Sequence, residues 1–295
     1  MTSKAKMSSY KSIIETALKK YLPKPRSTDP AAPVQEAMRY SLLTRGKRIR
    51  PVLTLAFCEL CGGELDIALP FACAAEMIHT YSLIHVDLPC MDDDDLRRGR
   101  PTNHKVYGED IALLAGDGLL TLAFETALSG KYPAISVRAA GTLARCAGAD
   151  KKGMVGGQCI DLKSEGTGVD LDLLRTMDIG KTVALISAAC QMGCIAAQAD
   201  ETLLKAAQKY AFALGLAFQI RDDILDVIGD AAALGKNVGM DTERDKRNYV
   251  SLLGVEKAQE LVDKYTKDAM RTLKAFPGDP EFLRTLTLDL AGRSS

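Results

Sequence analysis

The chain has no tryptophan, only 5% aromatic residues over 295 positions, and three histidines. It also lacks net charge, with Lys+Arg and Asp+Glu both at 38. A nucleic-acid-binding face usually biases a whole chain basic, so this balance argues against a nucleic-acid partner while leaving room for a local basic pocket. No Gly-Lys-Ser/Thr phosphate loop, no dinucleotide fingerprint after a strand and no nucleophile elbow is found, which removes three common enzyme layouts. Strand-like alternation is almost absent. No stretch is expected to reach the apolar length of a membrane span, and the first nine residues have no signal-peptide core. There are eight cysteines, and only Cys58 and Cys61 have metal-like spacing, with no second pair or nearby histidine to complete a zinc site. Most of the others lie in Ala- and Leu-rich segments, where a thiol acts as a small apolar side chain. They are read as reduced core cysteines of a cytoplasmic protein.

What is present is helical. Hydrophobic residues make up 47% of the chain, and Ala, Leu, Met, Glu and Lys dominate. Residues 1–9 read as a flexible leader and 10–295 as one all-α domain. Apolar periodicity predicts helices over about 10–22, 34–43, 52–61, 66–86, 92–98, 109–129, 133–148, 170–197, 201–229 and 255–275. Residues 24–33 form a Pro-rich connector, Pro51 suits the first turn of a helix, and Gly62-Gly63 stops it.

The organising stretch is Phe218-Gln219-Ile220-Arg221-Asp222-Asp223-Ile224-Leu225-Asp226. Gln219, Asp222, Asp223 and Asp226 follow an i, i+3, i+4, i+7 pattern and share one helix face, while the other faces are apolar. Carboxylates on a buried helix need a compensating cation, and Asp222 and Asp226, one turn apart, suit a hard divalent ion such as Mg2+. A second acidic run, Asp87 to Asp95, follows the apolar segment 71–84 and precedes Arg97-Arg98. Carboxylates and arginines around one pocket match the needs of a metal-bound diphosphate, the metal bridging the acids and guanidinium forks taking the remaining oxygens. Lys47 and Arg50 offer another anion site, and Lys181-Thr182 interrupts an apolar helix. Read alone, Lys47-Arg48-Ile49-Arg50 is a basic surface turn, and nothing local marks His79 as a ligand.

Together these motifs resemble the trans-prenyl diphosphate synthases, over roughly residues 34–276. The resemblance rests on Gly46-Lys47-Arg48-Ile49-Arg50-Pro51, the acidic run with Arg97-Arg98-Gly99, Gly156-Gly157-Gln158-x-x-Asp161, Lys181-Thr182, Phe218-Gln219-x-x-Asp222-Asp223-x-x-Asp226 and Gly235-Lys236-x-x-Gly239-x-Asp241. It implies an antiparallel helix bundle around a deep central cavity, usually in a homodimer. It implies head-to-tail condensation of isopentenyl diphosphate with an allylic diphosphate, using three Mg2+. By the same resemblance Lys47, Arg50, His79 and Arg98 hold isopentenyl diphosphate; Arg97, Lys181, Lys236 and Lys246 hold the allylic diphosphate. Thr182 and Gln219 face the developing cation. Asp87, Asp92, Asp222 and Asp226 are the expected metal ligands, with Asp161 and Asp223 in support. Tyr81, five residues before Val86, is expected to block elongation and favour farnesyl over geranylgeranyl diphosphate. Departures are Val86 at a position that is normally a ligand Asp, Arg45 and Val183 where glycine is common, no Ser/Thr-Thr within 246–249, and an atypical tail at 293–295. They leave a weakly active or non-catalytic partner subunit as an alternative.

Overall fold

The computed structural model describes residues 2–164, 166, 168–228 and 248–292. The elements are α1 Ser3–Tyr21, α2 Ala32–Leu42, α3 Ile49–Leu60 and α4 Leu65–Val86, then a two-stranded antiparallel hairpin, β1 Leu96–Arg97 with β2 Arg100–Pro101. There follow α5 Asn103–Tyr107, α6 Glu109–Leu128, α7 Pro133–Ala147, α8 Met154–Ser164, α9 Leu171–Asp178, a π-helical turn Ile179–Val183 and α10 Ala184–Ala196. The chain continues with α11 Glu201–Ile228, α12 Tyr249–Leu253, α13 Val255–Thr272, a 3-10 turn Leu273–Ala275 and α14 Glu281–Ala291. The all-α expectation holds.

Three local expectations are corrected. The first helix starts at Ser3 rather than in a flexible leader, because the Thr2 side chain accepts the Ala5 N–H at 3.3 Å and Tyr10 is buried against Glu59. The 92–98 helix is absent, since successive carboxylates repel at the negative C-terminal end of α4 and a turn plus hairpin forms instead. Three helical segments are long and apolar enough to cross a membrane: Leu65–Val86, Glu109–Leu128 and Leu171–Ala196. Their windows are 72%, 39% and 83% buried within the bundle, so for the first and third the apolar character serves the core. Of the helices not read from the sequence, α5 and α12 span five residues each, too few to show a period, while α8 and α14 were passed over.

α4 is the axial helix, packed against α3, α6 and α10, and α10 in turn lies against α3, α7 and α11. Close approach of α10 to α3 depends on Gly193, where a Cβ would sit 2.3 Å from the Thr54 carbonyl. Phe57 of α3 anchors the far end of the core, edge-on to Tyr210 at 5.1 Å and Phe276 at 5.3 Å. A smaller cluster of Leu174, Ile220, Ile224, Tyr249 and Val262 fixes the C-terminal half of α11 against α12 and α13. The helix ends that carry the chemistry are thereby held rigidly: the C-terminus of α4, the N-terminus of α3, the π turn before α10 and the last turns of α11.

Candidate active site

The first acidic run folds back on the helix it ends. The Asp92 N–H donates to the Val86 carbonyl at 2.9 Å, and the N–H groups of Met91 and Asp93 donate to the Leu88 carbonyl at 2.9 and 3.2 Å. This returns Asp92 to the end of α4 beside Asp87. Asp87 is buried, and Arg97 donates to its Oδ1 from Nε at 2.9 Å while a second nitrogen reaches Asp94 at 2.7 Å. Burial pushes the Asp87 carboxyl above its ordinary range, and Arg97 opposes that.

The second acidic group lies on one face of α11 and is hydrogen-bonded to the π turn. Thr182 Oγ1 donates to Gln219 Oε1 at 3.1 Å, Gln219 Nε2 to Asp223 Oδ1 at 3.4 Å, and the Tyr249 N–H to Asp223 Oδ2 at 2.9 Å. Lys181 donates to Asp161 Oδ2 at 2.6 Å and its side chain stays 34% exposed. The turn is built for this: α8 crosses it so closely that a Cβ on Gly157 would lie 2.1 Å from the Lys181 nitrogen. A π turn inserts one residue into the helical register, a device common at functional sites. Asp226 is 7% exposed, and its Oδ2 is buried without a hydrogen-bond partner among the described residues. Asp222 is half-buried on the same face.

A cationic group lies at the N-terminus of α3. Glu76 of α4, 1% exposed, binds Arg48 Nη1 at 2.6 Å and has Arg98 at 3.9 Å. Arg50 joins them; burial, first, and Arg98 bring its guanidinium down to about 10, with Glu76 opposing. Burial and then Arg50, Arg98, Arg48 and Arg97 hold His79 well below its ordinary pKa, so it is a neutral ring amid guanidiniums. Arg98 packs on Gly46, where a Cβ would meet its Nη1 at 2.8 Å. Lys47 is exposed at the rim.

The expected residues thus gather into three groups: Asp87, Asp92 and Arg97; Asp161, Lys181, Thr182, Gln219, Asp222, Asp223 and Asp226; and Lys47, Arg50, His79 and Arg98. Lys236 and Lys246 lie outside the described residues. Tyr81 is buried and stacks edge-on to His85 at 5.7 Å, whose Nε2 is 3.0 Å from the Leu113 carbonyl of α6. Sequence reasoning missed Glu76 and Asp178. Each is an acid breaking an otherwise apolar run, three residues ahead of a polar site residue, and that spacing was the available signal. Asp178 is buried beside Tyr249; burial first, then Asp223, lifts its carboxyl well above the ordinary range, against the pull of Tyr249 and Lys181.

No three His, Cys, Asp or Glu side chains converge on one point among the described residues. The donors nevertheless suit Mg2+: they are carboxylates, hard oxygen ligands, and the unsatisfied buried Asp226 oxygen needs a cation or donor. An ion of this kind held by one or two carboxylates completes its shell with water and substrate phosphate.

A family model described as polyprenyl synthetase matches residues 31–276. A chloroplastic geranylgeranyl pyrophosphate synthase 7 of Arabidopsis thaliana is 51% identical over 82% of this chain and 71% of its own length. One from Catharanthus roseus is 49% identical over 84% of this chain and 70% of its own. Among solved structures, an FPP/GFPP synthase from Zymomonas mobilis is 36% identical, with a TM-score of 0.87 over 98% of both chains.

Proposed function

Because this chain belongs to the polyprenyl synthetase family and is a trans-prenyl diphosphate synthase, we propose that it condenses isopentenyl diphosphate with an allylic diphosphate to give geranylgeranyl diphosphate. The observation that carries the reading is the triple grouping itself: two acidic groups and a partly buried arginine set, on helix ends of one bundle.

Asp92 from the first turn and Asp222 and Asp226 from α11 would hold magnesium, with Asp87 beside them. When bound with diphosphate, Mg2+ supplies Lewis-acid stabilisation of charge on the leaving group. Lys181 and Arg97 add fixed positive charge for the allylic diphosphate, assisted by Lys236 and Lys246. Thr182 Oγ1 donates to Gln219 Oε1, which holds the pair together, and their oxygens would offer fixed dipoles to the developing allylic cation. Buried Ile220 and Ile224 back that face and help exclude water. Arg50, Arg98 and neutral His79, with Lys47 at the rim, bind isopentenyl diphosphate and hold its double bond for attack.

Product length follows the curated relatives, whose names say geranylgeranyl. The farnesyl reading is favoured by one observation, the buried Tyr81 ring locked against His85, which would shorten an adjoining hollow. A homodimer is supported by exposed Leu113, Leu114 and Leu128 on α6, large apolar side chains interleaved with exposed Asp117 and Glu125 that a second copy would cover. The cysteine content suits a reducing compartment, and beside the cytoplasmic reading the names of the curated relatives, which say chloroplastic, favour a plastid. Incubation of labelled isopentenyl diphosphate with each allylic primer at high Mg2+ tests the reaction. Geranylgeranyl diphosphate is expected, farnesyl diphosphate as end product would select the Tyr81 reading, and no product from any primer would sink the condensation. In that last case, a product shift on mixing with an active homologue would indicate the partner-subunit role that Val86 raises.

A further inference from the structure

Arg48 is a motif residue to which the reaction assigns no task, yet its side chain is 0% exposed. Every arm of its guanidinium is engaged. Nε donates to Glu15 Oε1 at 2.6 Å, Nη1 to Glu76 Oε1 at 2.6 Å, and Nη2 to the carbonyls of Leu42 and Thr44 at 2.8 and 2.9 Å. Its backbone is left-handed, φ 53° and ψ 35°, a conformation that a branched-free L residue keeps only where its surroundings over-determine it. The bonds to Leu42 and Thr44 tie the α2 end to this turn, and the Arg48 carbonyl accepts the Val52 N–H at 3.1 Å to start α3. Lys47 and Arg50 therefore leave a corner whose direction Arg48 sets.

The charges point the same way. A buried guanidinium with no carboxylate is strongly unfavourable, and Glu76 alone would have to serve Arg48 and Arg98 together, with Arg50 also in its field. Glu15 of α1 supplies a second carboxylate to Arg48, leaving Glu76 to be shared and the Arg50–Arg98 pair short of negative charge. Arg50 Nε is itself buried without a hydrogen-bond partner among the described residues. Such a site is prepared for an anion. Glu15 lies ahead of residues 31–276, so the support comes from a helix that the family match does not include.

We propose that Arg48, clamped between Glu15 and Glu76, is a positioning residue that presents Lys47 and Arg50 to the diphosphate of the non-allylic substrate, and that α1 is thereby part of the site. This rests on the reading of Lys47 and Arg50 as isopentenyl diphosphate ligands. The test titrates inorganic pyrophosphate calorimetrically into the full-length protein in chelator, and separately measures KM for each substrate with Mg2+. Arg48→Met should weaken pyrophosphate binding roughly tenfold and raise the isopentenyl diphosphate KM by a similar factor, with the allylic KM unchanged. Glu15→Gln, at a side chain 33% exposed and so tolerant of change, should give a smaller loss of the same selectivity, about threefold. Arg48→Lys, which keeps the charge but not the fork, should fall between wild type and Arg48→Met. Equal loss at both substrates, or pyrophosphate binding unchanged in Arg48→Met and Glu15→Gln, would overturn the proposal. A wild-type protein that binds pyrophosphate but forms no product condemns the proposed reaction alone, and the calorimetry still decides the role of Arg48. Absence of pyrophosphate binding in wild type would overturn the proposal, while the condensation assay still decides the reaction.

Discussion

Val86 ends α4, next to Asp87 in the chain, with its carbonyl taken by the Asp92 N–H, so it lies within the turn that carries both carboxylates. Aspartate there would add a hard oxygen ligand beside Asp92 without altering that backbone bond. Val86→Asp is expected to raise turnover several-fold at saturating Mg2+; an unchanged kcat would remove the ligand argument. Asp178 makes a second residue-scale prediction. Its carboxyl is raised well above 3.8 by burial and Asp223, so the folded chain holds a proton that the unfolded chain releases. Stability is therefore lost as pH rises from the unfolded value through the folded one. Asp178→Asn, in chelator, should raise Tm clearly at pH 7 and little at pH 4, and equal shifts at the two values would contradict the assignment. At this scale the sequence was a partial guide. Motif spacing named Asp222, Asp226, Lys181 and Gln219 and marked Asp87 and Arg97 as neighbours. It gave Arg48 to the surface, because its partners Glu15 and Glu76 are 33 and 28 residues away and no local pattern links them.

Among the elements, the π turn and α8 form the tightest joint of the site. Gly157 and Gly180 meet backbone to backbone, a Cβ on Gly180 lying 2.7 Å from the Gly157 Cα. Backbone cannot yield as a flexible side chain does, so Gly157→Ala must displace Lys181 from Asp161. The variant is expected to lose about 1–3 kcal/mol of stability and at least tenfold in kcat, measured by thermal melting and the condensation assay. Wild-type Tm and rate together would show that the joint is looser than described. The longer helices were legible because their apolar residues repeat at the helical period over many turns. The 92–98 segment was misread because helical periodicity was extended into a short charged run, while the repulsion of its carboxylates at the end of α4 was left out. The π turn left no periodic signal, since one inserted residue is lost within a continuous apolar run.

For the whole molecule, the apolar sides of α6 are divided between the core and the surface. Ala112, Ala115, Leu119 and Ala123 are buried toward α4, while Leu113, Leu114 and Leu128 are exposed. If the exposed set covers a second copy, Leu114→Glu should shift the sedimentation of a wild-type dimer to that of a monomer. An unaltered dimer would place the interface elsewhere. The single-bundle architecture could be read from the helical periodicity, but the relation of the acidic groups depends on how α10 sets α4 relative to α11, which spacing alone does not encode. That relation is the centre of the account. The direct measurement is anomalous scattering from crystals grown with Mn2+ and pyrophosphate. Metal peaks are predicted between the carboxylates of Asp92 and Asp226, bridged by pyrophosphate oxygens; peaks elsewhere, with those two side chains opening on different hollows, would contradict it.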